Sequence, residues 1–312
     1  MNKYLNVCVI ILFLFSCKKE HTSAPNDREK ATIFLNNIVT TMEQYSFKRD
    51  SIDWNTFRKK VLLVVDDYRG FKINTSLGIQ RALTLLADNH SSFIFLDKTE
   101  LWGENGFSCT DTTPEMASFD STIGYIKVAT FMADPKKEEA YESDIHQQIQ
   151  VADNQQIKGW IVDLRGNRGG YFYPMFVGVA PILGTGTTNI WKYPDGSESY
   201  TTVNSELLNK YYQLIKPNPK VAVLTDHSTA SSGEALTISF RGRPNTRSFG
   251  NSTCGVSTER KSYEFTDVGS LNLATGIMAD RTGKAYGYSV APDVPEANSL
   301  RAMQEAINWL KE

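Results

Sequence analysis

Residues 221–240 read VAVLTDHSTASSGEALTISF. The run Val221–Thr225 has the short, apolar, β-branched composition of a buried strand, and from Ser232 to Phe240 the chain reads as a helix with Glu234 in its first turn. Between them lies a turn of small and polar residues. A strand that feeds a helix through such a turn is the repeating unit of an α/β fold with a largely buried sheet. The same pattern extends outward in both directions. Tyr125–Phe131, Trp160–Leu164 and Leu271–Met278 read as further strands, and Pro135–Ala152 and Tyr173–Ile182 as further helices. A last amphipathic helix, Leu300 to Leu310, puts Leu300, Met303, Ala306, Ile307 and Leu310 on one face. The expectation is an α/β core over residues 96–312.

Upstream the periodicity is helical. Ala31, Phe34, Leu35, Ile38, Met42 and Tyr45 recur at helical spacing, as do Trp54, Phe57, Val61, Val64 and Tyr68. A third stretch, Ser76 to Ala87, carries Leu77, Ala82, Leu83 and Leu86 on one side and stops at the turn-forming pair Asp88-Asn89, just before His90. Residues 27–95 are therefore expected to form a small helical N-terminal domain.

The 312 residues are 41% hydrophobic and 22% charged, with 33 Lys+Arg against 35 Asp+Glu and a formal net charge of −2. That composition suits a globular chain and excludes disorder. No basic run offers the electrostatic footprint that nucleic acid requires. The opening MNKYLNVCVIILFLFSCKKE has one lysine, an apolar run from Val7 to Phe15, then Ser16 and Cys17. The run is short for a membrane span and reads as an export signal over residues 1–16. Leu14-Phe15-Ser16-Cys17 resembles the lipobox of bacterial lipoproteins, which makes Cys17 the expected lipidation site and membrane attachment point, followed by a tether to residue 26. Of the later cysteines, Cys109 and Cys254 either pair in an oxidising compartment or remain as two buried thiols. With no C-x-x-C pair there is no zinc ligand set, and neither a metal nor a cofactor is expected.

Ser231 is the first candidate for chemistry. A serine at a strand-to-helix junction sits on a sharp turn with its hydroxyl exposed, beside helix N–H groups able to bind an oxyanion. Thr229-Ala230-Ser231-Ser232-Gly233 lacks only the first glycine of G-x-S-x-G. An ordinary N-cap is the competing reading, since Ser231 and Glu234 have capping-box spacing. The second candidate segment is GWIVDLRGNRGGYFYPMF, residues 159–176, where Gly166, Gly169 and Gly170 follow a strand. Glycines there let backbone N–H groups approach a ligand, although the spacing fits neither G-x-G-x-x-G nor a P-loop. Among the four histidines, His21 lies in the tether, His146 in a helix, and His227 on the same turn as Ser231. His90 ends a helix, where the negative helix end favours an imidazolium, a suitable place for a base; a satisfied loop histidine is the alternative.

Taken in order, LLADNHSSF (85–93), GYIKVATF (124–131), VDLRGNRGG (162–170), TASSGE (229–234), FGNSTCG (249–255) and VAPDV (290–294) resemble the tail-specific (C-terminal processing) serine peptidases, together with the related tricorn core and interphotoreceptor retinoid-binding modules. The resemblance implies a crotonase/ClpP-like α/β core, Ser231 as nucleophile, and an oxyanion hole from the backbone N–H of Ser232 and of Gly169 or Gly170. Val256 occupies the slot where dyad members carry lysine. The tricorn-like branch has its histidine where His90 stands, but its glutamate corresponds here to Tyr286. The stretch Ser91–Ile123, where the family's PDZ domain is inserted, is too short for a domain with its own core.

Tyr171-Phe172-Tyr173, beside the glycine pair, are candidates for the wall of an apolar substrate pocket or for core packing. The function expected is a serine-type peptidase acting on peptides or proteins through an acyl-enzyme and anchored in the bacterial envelope, at the periplasm or outer surface. The alternative is a catalytically weak or inactive module that binds apolar ligands or peptides on the same fold.

Overall fold

The computed structural model of the chain describes residues 26–132 and 134–312, so the predicted export signal, Cys17 and nearly all of the tether lie outside the described residues. Three helices come first: α1 (Asp27–Tyr45), α2 (Trp54–Leu62) and α3 (Phe71–Leu86). Asn26 accepts the Glu29 N–H to start α1, and Asp53 accepts the Thr56 N–H to start α2. Each cap satisfies a backbone donor that the first helical turn leaves free. The end of α3 matters more. Ala87 (φ 49°) and Asn89 (φ 58°) turn left-handed, and Asp88 Oδ1 between them accepts the N–H of His90 at 3.0 Å and of Ser91 at 2.8 Å. The turn that stops the helix thereby sets where His90 leaves it.

The chain continues through β1 (Ser92–Phe95), β2 (Glu100–Trp102), β3 (Ile123–Lys127), α4 (Glu138–Ala152), β4 (Gly159–Asp163), α5 (Phe172–Leu183), β5 (Gly186–Lys192) and β6 (Glu198–Val203). It ends with α6 (Ser205–Asn209), β7 (Lys220–Thr225), α7 (Ser232–Ser239), β8 (Thr246–Gly250), β9 (Thr258–Phe265), β10 (Gly269–Asp280), β11 (Val294–Pro295) and α8 (Ser299–Lys311). The fold is mixed α/β, and its strands divide between two sheets.

The first sheet is wholly parallel, in the order β3-β4-β7-β8-β11. Its strands are apolar on both faces because both are covered. Ile126, Trp160, Val162, Val221 and Val223 pack with Ile145, Ile149, Met175, Phe176 and Val179 of α4 and α5. The alternate residues Ile123, Ile161, Ala222, Leu224 and Phe249 pack with Met303, Ala306, Ile307 and Leu310 of α8. This two-residue alternation assigns each side chain to a layer.

The second sheet is antiparallel, β2-β1-β10-β5-β6, with β9 also paired to β10. The segment Leu271–Met278 is indeed a strand, but it belongs here rather than with the parallel strands. An apolar run does not specify its partner, and only long-range pairing does so. Likewise Tyr125–Phe131 is shorter than its apolar pattern: β3 ends at Lys127, and Phe131 returns as a single bridge to Gly170. The core of α1–α3 is completed by Phe93 and Phe95 of β1 and Leu271 and Leu273 of β10.

Candidate functional site

Ser231 stands where β7 passes into α7, with φ 53° and ψ −114°. That backbone conformation is strained for a residue with a Cβ and is held by its neighbours. Glu234 does much of the holding. Its side chain is fully buried, and Oε2 accepts the N–H of Ser231 and of Val256, both at 2.9 Å. Oε1 accepts the Thr253 hydroxyl at 2.6 Å and the Gly255 N–H at 2.9 Å. Burial pushes the Glu234 pKa up, and the four donors oppose it. The capping residue of the competing reading is thus a clamp that ties the Ser231 turn to the 253–256 loop.

The glycine turn after β4 is built beside it. Asp163 and Arg165 form a buried ion pair, Oδ2 to Nη2 at 2.8 Å, and Arg165 Nη1 reaches the Ser299 carbonyl at 2.9 Å, fastening the strand end to α8. Asn167 donates to the Val128 carbonyl, accepts the Gly169 N–H on Oδ1 at 2.8 Å, and takes the Ala230 N–H on its carbonyl at 2.9 Å. Gly169 (φ 89°) lies so close that a Cβ there would stand 2.9 Å from Ser231 Cβ and from the Ser232 nitrogen, which requires glycine on both conformational and steric grounds. Because Gly169 commits its N–H to Asn167, Gly170 is the member of the pair with an available donor. Neither Gly170 N–H nor Ser232 N–H has an acceptor among the described residues, and the Ser232 hydroxyl donates to the Gly170 carbonyl at 2.7 Å.

His90 comes from the other sheet's side of the cleft. Its Nε2 lies 3.1 Å from Ser231 Oγ, and its Nδ1 lies 2.6 Å from Thr258 Oγ1 at the start of β9. Burial, aided by the Arg260 charge, lowers the His90 pKa to about 3, so the ring is neutral at ordinary pH. The other described histidines turn elsewhere. His227 Nε2 is 3.1 Å from the Ser108 carbonyl, and His146 Nε2 is 3.0 Å from the Val177 carbonyl. Val256 is buried in the cleft wall. Tyr286 donates to Asp280 at 2.9 Å and does not face His90. Lys261 pairs with Glu259, and Lys284 lies over the Tyr286 ring.

The cleft at Ser231 and His90 has a volume of about 420 Å³, with Trp102, Phe107, Met132 and Val256 as its apolar wall and Arg168 and Arg260 as its charges. Tyr171, Phe172 and Tyr173, candidates for that wall or for core packing, are not among the residues that line the cleft. Phe172 packs inward, stacked on Phe176 with ring centroids 5.5 Å apart and edge-on to Trp191 at 5.8 Å, because it opens α5 on the face that meets the core. Tyr171 and Tyr173 are exposed but lie outside the cleft lining. Trp102, the last residue of β2, and Phe107, in the connection that follows it, were missed because neither belongs to a motif; two aromatics close to Cys109 were the available signal. Cys109 and Cys254 are joined in a disulfide with a Cα separation of 5.1 Å, which fastens that connection to the loop held by Glu234. Among the described residues, no group of His, Cys, Asp and Glu side chains could hold a metal ion, and no helix is long and apolar enough to cross a membrane.

Comparison with known proteins agrees with this architecture. The chain is 26% identical over 322 residues to a nisin-resistance protein of Lactococcus lactis subsp. lactis, spanning 98% of this chain and 95% of the relative. A lipoprotein from Streptococcus agalactiae has a similar structure, with TM-score 0.69 and 23% identity over 94% of this chain and 99% of that one. A putative peptidase from Parabacteroides merdae gives TM-score 0.67 at 16% identity, covering 93% and 98%. The photosystem II D1 C-terminal processing protease gives 0.60 at 14%, covering 90% and 99%. Residues 122–295, more than half of the chain, match the model of peptidase family S41, and the chain belongs to that family.

Proposed function

We propose that the protein is a serine peptidase in which Ser231 is the nucleophile and His90 the general base. The observation that carries this reading is the 3.1 Å contact between Ser231 Oγ and His90 Nε2 at a strained turn flanked by two uncommitted N–H groups. Ser231 Oγ attacks the peptide carbonyl as its proton passes to Nε2. The carbonyl π electrons move onto oxygen, where the N–H groups of Ser232 and Gly170 receive the charge. When the tetrahedral intermediate collapses, the C–N bond breaks and the imidazolium returns the proton to the leaving amine. Water then repeats the sequence on the acyl-enzyme. Trp102, Phe107 and Met132 offer apolar contact to substrate side chains. A relative named for nisin resistance is compatible with a peptide substrate.

A fluorophosphonate probe tests the reading directly, because it labels only an activated serine. Wild-type protein is expected to be labelled at Ser231, and Ser231→Ala to be folded and unlabelled. A wild type that resists labelling across pH would instead mark a binding module.

We further infer that mature protein is anchored to the cell envelope through Cys17, a reading supported by the Leu14-Phe15-Ser16-Cys17 motif. Cys17→Ala should move the protein from the membrane to the soluble fraction; equal membrane retention of both forms would remove the anchor from the account.

A further inference from the structure

A serine-histidine pair needs something at the far side of the imidazole. If Nδ1 has no acceptor for its proton, the ring can adopt the tautomer with the proton on Nε2, which points a donor at the serine and cannot act as a base. The usual solution is a buried carboxylate. None meets His90. Asp88 Oδ1 is occupied by the N–H groups of His90 and Ser91, and its Oδ2 by the Ser91 hydroxyl. Glu100 takes the Ser92 hydroxyl, Glu234 is filled by the Ser231 N–H and three donors of the 253–256 loop, and Tyr286 is turned toward Asp280. The charge that acts on the His90 ring is positive: Arg260, which donates to the His90 carbonyl at 3.3 Å and is itself offset by Glu100 and Asp88.

What does face Nδ1 is Thr258 Oγ1, at 2.6 Å, with both residues buried. The threonine is well fixed. Its N–H donates to the Val256 carbonyl at 2.8 Å, and in the β9–β10 ladder it stands opposite Ile277. We propose that Thr258 is the positioning residue for His90, accepting the Nδ1 proton so that the Nε2 lone pair faces Ser231. This rests on His90 being the base. The consequence differs from that of a carboxylate. A hydroxyl oxygen orients the ring and solvates the imidazolium with a dipole, but it supplies no countercharge, so nothing lifts the histidine's proton affinity against burial and Arg260. The site trades base strength for a histidine that remains unprotonated in mild acid.

The test measures the second-order rate of fluorophosphonate labelling against pH for wild type, Thr258→Val, Thr258→Ser and Thr258→Asp, with ¹⁵N-histidine spectra of His90 alongside. Thr258→Val keeps the shape of the side chain and leaves Nδ1–H without an acceptor. It is expected to slow labelling roughly 10- to 100-fold and to shift His90 toward the Nε2–H tautomer. Thr258→Ser restores the oxygen and should recover the rate to within about threefold, the range of a small packing change. Thr258→Asp supplies the missing charge and should move the acid limb upward by about one pH unit or more.

A Thr258→Val protein with wild-type rate, pH limb and tautomer overturns the proposal. So does a Thr258→Ser protein as slow as Thr258→Val, because the loss would then follow packing rather than the oxygen. The underlying reading is separable: if His90→Ala labels at the wild-type rate, the base assignment itself has failed; if His90→Ala is dead while Thr258→Val is normal, only the positioning role is lost.

Discussion

The two halves of the cleft are built in different ways. On the parallel-sheet side, Ser231 and the glycine turn each sit at the end of a strand, within a few residues of the groups that hold them: Glu234 for the serine, Asn167 for Gly169. On the antiparallel side, His90 is brought to Ser231 across a sequence separation of 141 and to Thr258 across 168. The first half is a local invention of strand-turn-helix geometry. The second exists only because β1 and β9 both pair with β10. Damage to the first should therefore act through the backbone of one turn, and damage to the second through the seating of one ring.

The largest effect should come from removing the ring itself. His90→Ala is expected to slow acylation by roughly 10⁴-fold or more, as when base and nucleophile act as a unit, with little change in thermal stability. His227→Ala, on the serine's own loop, should keep most of the activity; a dead His227 variant beside an active His90 variant would reverse the contrast between the two halves.

Next is the clamp. Glu234→Gln replaces one of two oxygens that each accept two donors, so two donors lose their acceptor. The variant is expected to lose about 3 kcal/mol or more of stability and to denature at lower urea. It should also lose labelling, because the conformation of Ser231 depends on the same contacts. Normal stability in this variant would show that the strain at Ser231 is held elsewhere.

The disulfide crosses between the cleft wall and the Glu234 loop. Replacing Cys109 and Cys254 with serine should cost about 2–4 kcal/mol in unfolding free energy, measured by denaturant titration. It should raise KM for peptide substrates more than it lowers kcat, since Phe107 lies on the released connection between β2 and Cys109.

The smallest effect is in pH. With the His90 pKa lowered to about 3, the acid limb of kcat/KM should lie well below 6.5. The same shift has a stability sign. Between about 6.5 and 3 the unfolded chain takes up a proton that folded His90 refuses, so this contribution is present above 6.5 and is lost as pH falls toward 3. An acid limb near 6.5 would mean that a countercharge reaches the ring and that the two halves are less different than their contacts indicate.

How much was legible follows the same division. The sequence by itself determined the strand-turn-helix at 221–240, the apolar alternation that buries both faces of the parallel sheet, the glycine turn, and the amphipathic stripes of the helices. These are encoded in side-chain period and in residues a few positions apart. His90 was legible as a candidate because it follows a helix-ending turn. Only the tertiary structure decided that Leu271–Met278 joins a second, antiparallel sheet, that Phe172 faces the core while Trp102 and Phe107 line the cleft, that Gly169 is already bonded and Gly170 is not, that Cys109 meets Cys254, and that Thr258 stands behind His90. Each depends on pairing between distant segments, and a strand's sequence states which residues share a face but not which strand will lie beside it.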